Sequence, residues 1–253
     1  MTIFGEVLRM LHYQREGSGE VVVLIHGFLG GIQIFEQIFE PLTKHFDVIA
    51  IDLPGHGKSE VPEEEYTMYR YAEDVLEVLT YEKVEKAYWI GHSMGGYITL
   101  AALEKQYTNI EKAVLLYSSD APDTAEAIEK RTKQQQEIQA HGAGAFVEGI
   151  IHNFLAPDAE AEDILFAKEV AHDAKEEGLI TALGAMKSRP DQRELVDSIE
   201  TSILVIEGEQ DKAVTPIETS NPNVTKVFTN TGHLGMIEDS QTVVREILQF
   251  LKD

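Results

Sequence analysis

Cysteine is absent from the 253-residue chain. Disulfides and thiolate chemistry are therefore excluded, and a reducing compartment is permitted without being required. Basic side chains are scarce: 21 Lys and Arg stand against 44 Asp and Glu, for a formal charge of −23. Nucleic acids and anionic lipids are held by clustered Lys and Arg, so neither a nucleic acid nor a membrane is an expected partner. Solubility or salt tolerance is the ordinary cause of such acidity. Long apolar runs are missing too, none approaching the roughly 18 residues of a spanning helix. The opening "MTIFGEVLRMLHYQREGSGE" has no basic-then-apolar leader pattern, and the expected address is cytoplasmic. The nine histidines are scattered rather than grouped with carboxylates, so no metal site is expected.

What the chain does have is a rhythm. Residues 7–14 alternate and read as an edge strand. "VVVLI" (21–25), "FDVIAI" (46–51), "AYWIG" (87–91), "KAVLLY" (112–117), "SILVIEG" (202–208) and "TKVFT" (225–229) are continuous apolar runs. Such runs suit strands buried on both faces of a parallel sheet. Amphipathic stretches near 33–44, 67–80, 95–106 and 240–252 lie between them. The expected fold is α/β, a mostly parallel sheet with helices on both faces. The rhythm breaks between Asp120 and Ile199, where four helices are expected: 122–140, 144–155, 159–177 and 179–187. "HGAG" (141–144), Pro157 and Gly178 punctuate them. The domain reading is a core of 1–119 and 200–253, with 120–199 inserted between two late strands as a helical lid. The apolar stripe of the insertion includes Phe146, Ile150 and Phe154. Packing is the usual reason for such a stripe; these three are also candidates to line a substrate pocket.

The chemistry concentrates at Gly91-His92-Ser93-Met94-Gly95. A Gly-x-Ser-x-Gly match alone is weak, but here it joins a strand to a helix, the setting of a strained turn that presents a serine. A serine hydroxyl needs a base, a carboxylate to orient the base, and donors for an oxyanion. In a doubly wound sheet these belong at the carboxyl ends of strands. "EGEQDKAVTP" follows strand 202–208 and offers Asp211; "NTGHLGMIED" follows strand 225–229 and offers His233. The order Ser93, Asp211, His233 is the order that the serine-turn motif expects. The oxyanion donors should be the backbone N–H groups of Met94, just after the serine, and of Phe28 in "HGFLGG". Gly27, Gly30 and Gly31 there would let that loop approach a ligand closely. His56, in "DLPGHGKS", reads as structural.

From "YQREGSG" through "HGFLGG", "DLPGHGKS", "GHSMGG" and "EGEQD" to "GHLGMIE", the chain resembles an α/β-hydrolase over essentially its whole length. Within that superfamily it is similar to small cofactor-free bacterial carboxylesterases grouped with non-haem haloperoxidases and 3-oxoadipate enol-lactonases. The resemblance implies a serine hydrolase acting on a small carboxylic ester or lactone, with neither a metal nor an organic cofactor. Ser93 would be the nucleophile, His233 the base, Asp211 the orienting acid, and Phe28 with Met94 the oxyanion donors. Asp120, after strand 112–117, is a second candidate for the acid. "EGEQDKAVTP" matches the family's acid loop, whereas Asp120 opens the insertion and reads as the cap of a helix from 122. Alternatives on the same triad are a menaquinone-pathway-type synthase or lyase and a C–C bond hydrolase. A different class would be a ligand receptor or scaffold that retains the triad. A dinucleotide site is not supported, because "HGFLGG" does not supply Gly-x-Gly-x-x-Gly.

Overall fold

Seven strands build one sheet in which five of the six continuous apolar runs have a partner on each side; the run at 225–229 is instead an edge strand, paired on one side only and with Phe228 57% exposed. The computed structural model describes residues 10–61, 64–107 and 110–252. Its strands are β1 (Tyr13–Gly17), β2 (Val21–Ile25), β3 (Asp47–Ile51), β4 (Ala87–His92), β5 (Ile110–Leu116), β6 (Ser202–Gly208) and β7 (Val224–Thr229), in the spatial order β1-β3-β2-β4-β5-β6-β7. All neighbours are parallel except β1, which runs antiparallel to β3 with Tyr13 opposite Ile51. The edge strand expected over 7–14 starts only at Tyr13; residues 7–9 lie outside the described part. β4 is central, and all six of its residues are buried, Trp89 completely. Each fully buried large apolar side chain contributes about 1.5–3 kcal/mol, so burial stabilises the middle of the sheet most.

The core helices are α1 (Glu36–Thr43), α2 (Met68–Tyr81), α3 (Met94–Glu104), α8 (Gly235–Glu238) and α9 (Ser240–Lys252). α1 packs with α9, and α2 with α3. On α9, Val243, Ile247 and Leu251 form one buried stripe at helical spacing. Thr67 caps α2, its Oγ1 accepting the Arg70 N–H at 3.2 Å. α3 differs, because every residue from Met94 to Leu103 is buried. A helix that is apolar all round belongs in the interior, and this one follows the serine directly.

Between β5 and β6 lie α4 (Ala125–Ile150), a 3₁₀ turn (Ile151–Phe154), α5 (Ala161–His172), α6 (Glu176–Lys187) and α7 (Arg193–Ser198). Their boundaries depart from expectation: the helix expected over 159–177 spans only Ala161–His172, and α7 is not among those expected. The first helix begins at Ala125 rather than 122, capped by Thr124 Oγ1 accepting the Ala127 N–H at 3.2 Å; Asp120 does not cap it. The break expected across 141–144 narrows to Gly142, which alone leaves helical geometry with φ 82°. Gly178 does not end a helix but lies inside α6, against the core loop. A Cβ on Gly178 would sit 2.5 Å from Gly55 Cα, so two main chains touch there. Lys175 reinforces the contact, its N–H donating to Gly55 O at 2.8 Å and its Nζ to Ser59 O at 2.7 Å.

Candidate active site

Ser93 is a residue in itself between β4 and α3. Its backbone has φ 51° and ψ −114°, a region that costs a side-chain-bearing residue about 1–3 kcal/mol. The surroundings enforce it: the Ser93 N–H donates to Leu116 O at 2.9 Å, and Ser118 Oγ–H donates to Ser93 O at 2.8 Å. The flanking glycines are required by contact. A Cβ on Gly91 would lie 2.2 Å from Gly95 O, and one on Gly95 would lie 2.0 Å from Ile25 O. Strand, turn and helix are therefore pressed together, leaving the serine side chain at the sheet's carboxyl edge.

Two further chain segments reach the same edge. Asp211 follows β6, its N–H bonded to Gly208 O at 3.1 Å. Its Oδ1 accepts the Ala213 N–H at 2.7 Å, and its Oδ2 lies 2.7 Å from His233 Nδ1. The two side chains are only 6% and 4% exposed, so the pair is screened from water. A hydrogen on Nδ1 directed at the carboxylate leaves the Nε2 lone pair free to accept a proton. Main-chain bonds hold His233 as well: its N–H donates to Phe154 O at 2.7 Å, and its carbonyl accepts from His92 Nε2 at 3.0 Å. Among the described residues no hydrogen bond joins Ser93 Oγ to His233; such contacts tighten when substrate binds.

The structure places Asp120 elsewhere. Its carboxyl does not bond His233, it is 3% exposed, and its Oδ2 has no hydrogen-bond partner. Burial pushes its pKa up to about 6. The folded chain thus holds this proton across the range where an unfolded aspartate, titrating near ~4, has lost it. The resulting stability is complete below about pH 4 and lost as pH rises through about 6. Asp120→Asn should therefore be more stable than the parent at pH 8, by up to about 3 kcal/mol. The difference should shrink towards zero at pH 4, with activity within a few-fold of the parent. Thermal melts at the two pH values check this; equal gains at both would remove the buried carboxylate as the cause.

The loop with Phe28 passes directly beside the serine, since a Cβ on Gly27 would lie 2.9 Å from both Ser93 Cβ and His92 Nδ1. Of the glycines expected to let a ligand approach, Gly27 thus adjoins the serine turn. Gly30 and Gly31 instead abut His26 and Gln33 of the protein itself. His26 ties the loop down, its Nδ1 bonding Gly27 O at 2.7 Å while its Nε2 accepts the Leu53 N–H at 2.9 Å. Asp52 joins the neighbouring loop to it by accepting the Ile32 and Lys58 N–H groups at 2.8 and 3.0 Å. His56 is fully buried, with its pKa pushed down to about 3 by that burial. Met94, as the first residue of α3, has an N–H with no intrahelical partner.

The insertion supplies side chains around this edge. The Phe146 ring meets Phe28 edge-on with centroids 6.2 Å apart, and Phe154 lies 5.5 Å from the His233 ring. Ile150 is half-buried against the core. His92 and Ser118 received no role from the sequence, because their partners, the His233 carbonyl and the Ser93 carbonyl, are set by strand register. Burial, and then the nearby His233, hold the His92 pKa well below its usual value, so this imidazole is neutral. Among the described residues, no group of three or more His, Asp or Glu could hold a metal ion, and no helix is long and apolar enough to cross a membrane.

A parallel sheet with this serine turn, histidine loop and aspartate loop at one edge defines a class, and comparison with known proteins gives the family. Over residues 20–162 the chain matches the alpha/beta hydrolase fold family, and it belongs to that family. A curated relative, the uncharacterized hydrolase YugF of Bacillus subtilis, is 37% identical over 119 residues. That match covers 47% of this chain and 43% of that protein, less than half the relative's length. Among solved structures, an esterase from Thermogutta terrifontis (malate bound) superposes with a TM-score of 0.88 at 26% identity, covering 96% of this chain and 93% of that one. An enol-lactonase from Burkholderia xenovorans LB400 also gives 0.88, at 23% identity and 96% of each chain; at that identity the likeness is one of fold.

Proposed function

We propose that the protein is a serine hydrolase that cleaves a small carboxylic ester or lactone through an acyl-enzyme on Ser93. The observation that carries this reading is the shielded His233–Asp211 pair, 2.7 Å apart, on loops that share the sheet edge with the strained serine. In the first half-reaction Ser93 Oγ gives its proton to His233 Nε2 and attacks the acyl carbon. The oxyanion that forms takes the N–H groups of Phe28 and Met94. Collapse breaks the C–O bond, and the imidazolium returns its proton to the departing alkoxide. Water then repeats the sequence on the acyl-enzyme, releasing the acid and the free serine. Asp211 holds the histidine tautomer and stabilises the imidazolium throughout. The reading keeps 1–119 and 200–253 as the core and 120–199 as a lid, with Phe146 and Phe154 against the substrate. The name of the Thermogutta terrifontis esterase supports the bond type.

The test is a fluorophosphonate probe, which reacts only with an activated serine. Ser93 alone should be labelled, a simple p-nitrophenyl ester should turn over steadily, and both should vanish in Ser93→Ala. Labelling that survives the substitution sinks the assignment. A labelled wild type without steady turnover would favour a receptor that retains the triad.

A further inference from the structure

Glu238 ends α8, and all three hydrogen bonds to its carboxylate come from main-chain N–H groups. Oε2 accepts from Ala156 at 2.8 Å and from Gly232 at 3.1 Å, while Oε1 accepts from Leu234 at 3.3 Å. Gly232 and Leu234 are the two neighbours of His233, so one carboxylate grips the histidine's main chain from both sides. The third donor belongs to the insertion, two residues past the Phe154 carbonyl that takes the His233 N–H. Loop and insertion are in direct contact here: a Cβ on Gly232 would lie 2.5 Å from both Ala156 N and Leu155 C. Hydrogen bonds from an amide to an ionised carboxylate are among the stronger kind. Their sum fixes the loop without any contact to the imidazole.

We propose that Glu238 is a positioning residue for the reaction, locking the His233 main chain so that Nδ1 stays on Asp211 and Nε2 faces Ser93. This rests on the serine-hydrolase reading above. An imidazole is carried by its backbone through two torsions, so a loop that shifts carries Nε2 with it. A misplacement of about 1 Å costs on the order of 100-fold in rate. The carboxylate's acceptor contacts go to the main chain, so the loss falls on kcat and leaves KM within about twofold. Glutamine keeps one oxygen, enough for Ala156 and Gly232, but presents an NH₂ to the Leu234 N–H. It therefore restores most of the clamp and not all of it.

Three proteins test the proposal: wild type, Glu238→Gln and Glu238→Ala, each compared by kcat, KM, probe-labelling rate and folded fraction. The expected order per folded molecule is wild type, then Gln a few-fold lower in kcat, then Ala about 10- to 100-fold lower, with KM nearly constant. Wild-type kcat in a folded Glu238→Ala, or a loss confined to KM, overturns the proposal. If Glu238→Ala does not fold, Glu238→Gln decides: kcat reduced several-fold at a melting temperature close to the parent's supports the clamp, and unchanged kcat overturns it. Failure of the underlying reading shows separately in the wild type, as an unlabelled Ser93 or as a label without steady ester turnover.

Discussion

Asp211→Asn should lose on the order of 10⁴-fold in kcat while remaining folded, whereas Asp120→Asn should keep its activity. The asymmetry follows from the contacts of each carboxylate. Asp211 Oδ1 is committed to the Ala213 N–H at 2.7 Å, and an asparagine would keep its oxygen there. Its NH₂ would then face His233 Nδ1, where Oδ2 now lies at 2.7 Å. An amide donor at that place forces Nδ1 to accept, and the ring's hydrogen moves to Nε2. The nitrogen that faces the serine would be protonated before the reaction begins and could not act as a base. The tautomer, rather than the loss of charge alone, carries most of the effect. Asp120 has no such neighbour; its free Oδ2 and raised pKa are matters of stability. Steady-state kinetics and melting curves on the two variants check this, and the reverse pattern would transfer the acid's role to Asp120.

Gly95→Ala should be among the most damaging single methyl additions in the chain. The new Cβ would lie 2.0 Å from Ile25 O and 2.9 Å from His26 O, and both acceptors are main-chain atoms of the buried β2 end. Neither can rotate aside, so α3 must move away from the sheet. Overpacking of a core costs about 1–3 kcal/mol where side chains can adjust; a clash with backbone belongs at or above the upper end. In a chain of this size that lowers the melting temperature by roughly 10 °C. The damage reaches chemistry as well. α3 begins at Met94, so displacing it pulls one proposed oxyanion donor away from the other, on Phe28. Probe labelling of the remaining folded protein should fall by at least 100-fold, on the scale of losing one oxyanion donor. A variant that melts within a few degrees of the parent and labels normally would show that α3 can shift without cost.

The parts that were legible in the sequence were those written locally. Val21–Ile25 and Ser202–Gly208 occur as read, because an uninterrupted apolar run has no other stable place than a buried strand. The serine turn is also local, since its glycines lie within a few residues of the strain they relieve. The insertion was harder. Thr124 rather than Asp120 caps α4 because its side chain meets the Ala127 N–H, a matter of one turn that composition does not decide. Gly178 looked like a helix end, yet the need for glycine comes from Gly55, far away in the chain. Glu238 and His92 gave no signal at all, as their partners are main-chain atoms brought close only by folding.

The bond from the His233 N–H to Phe154 O bears on how such proteins can be recombined. An insertion proposed as a lid invites grafting, in which one helical cover is exchanged for another to change what the enzyme accepts. Here the junction cannot be drawn at the ends of the insertion. Residues 151–156 serve as scaffold for the loop of the proposed base, and a chimaera that replaced them would have to return a main-chain carbonyl to the place of Phe154 O. Exchange of α4 as far as the Gly142 break leaves that scaffold intact, which makes the break the natural crossover point for variants of altered substrate range.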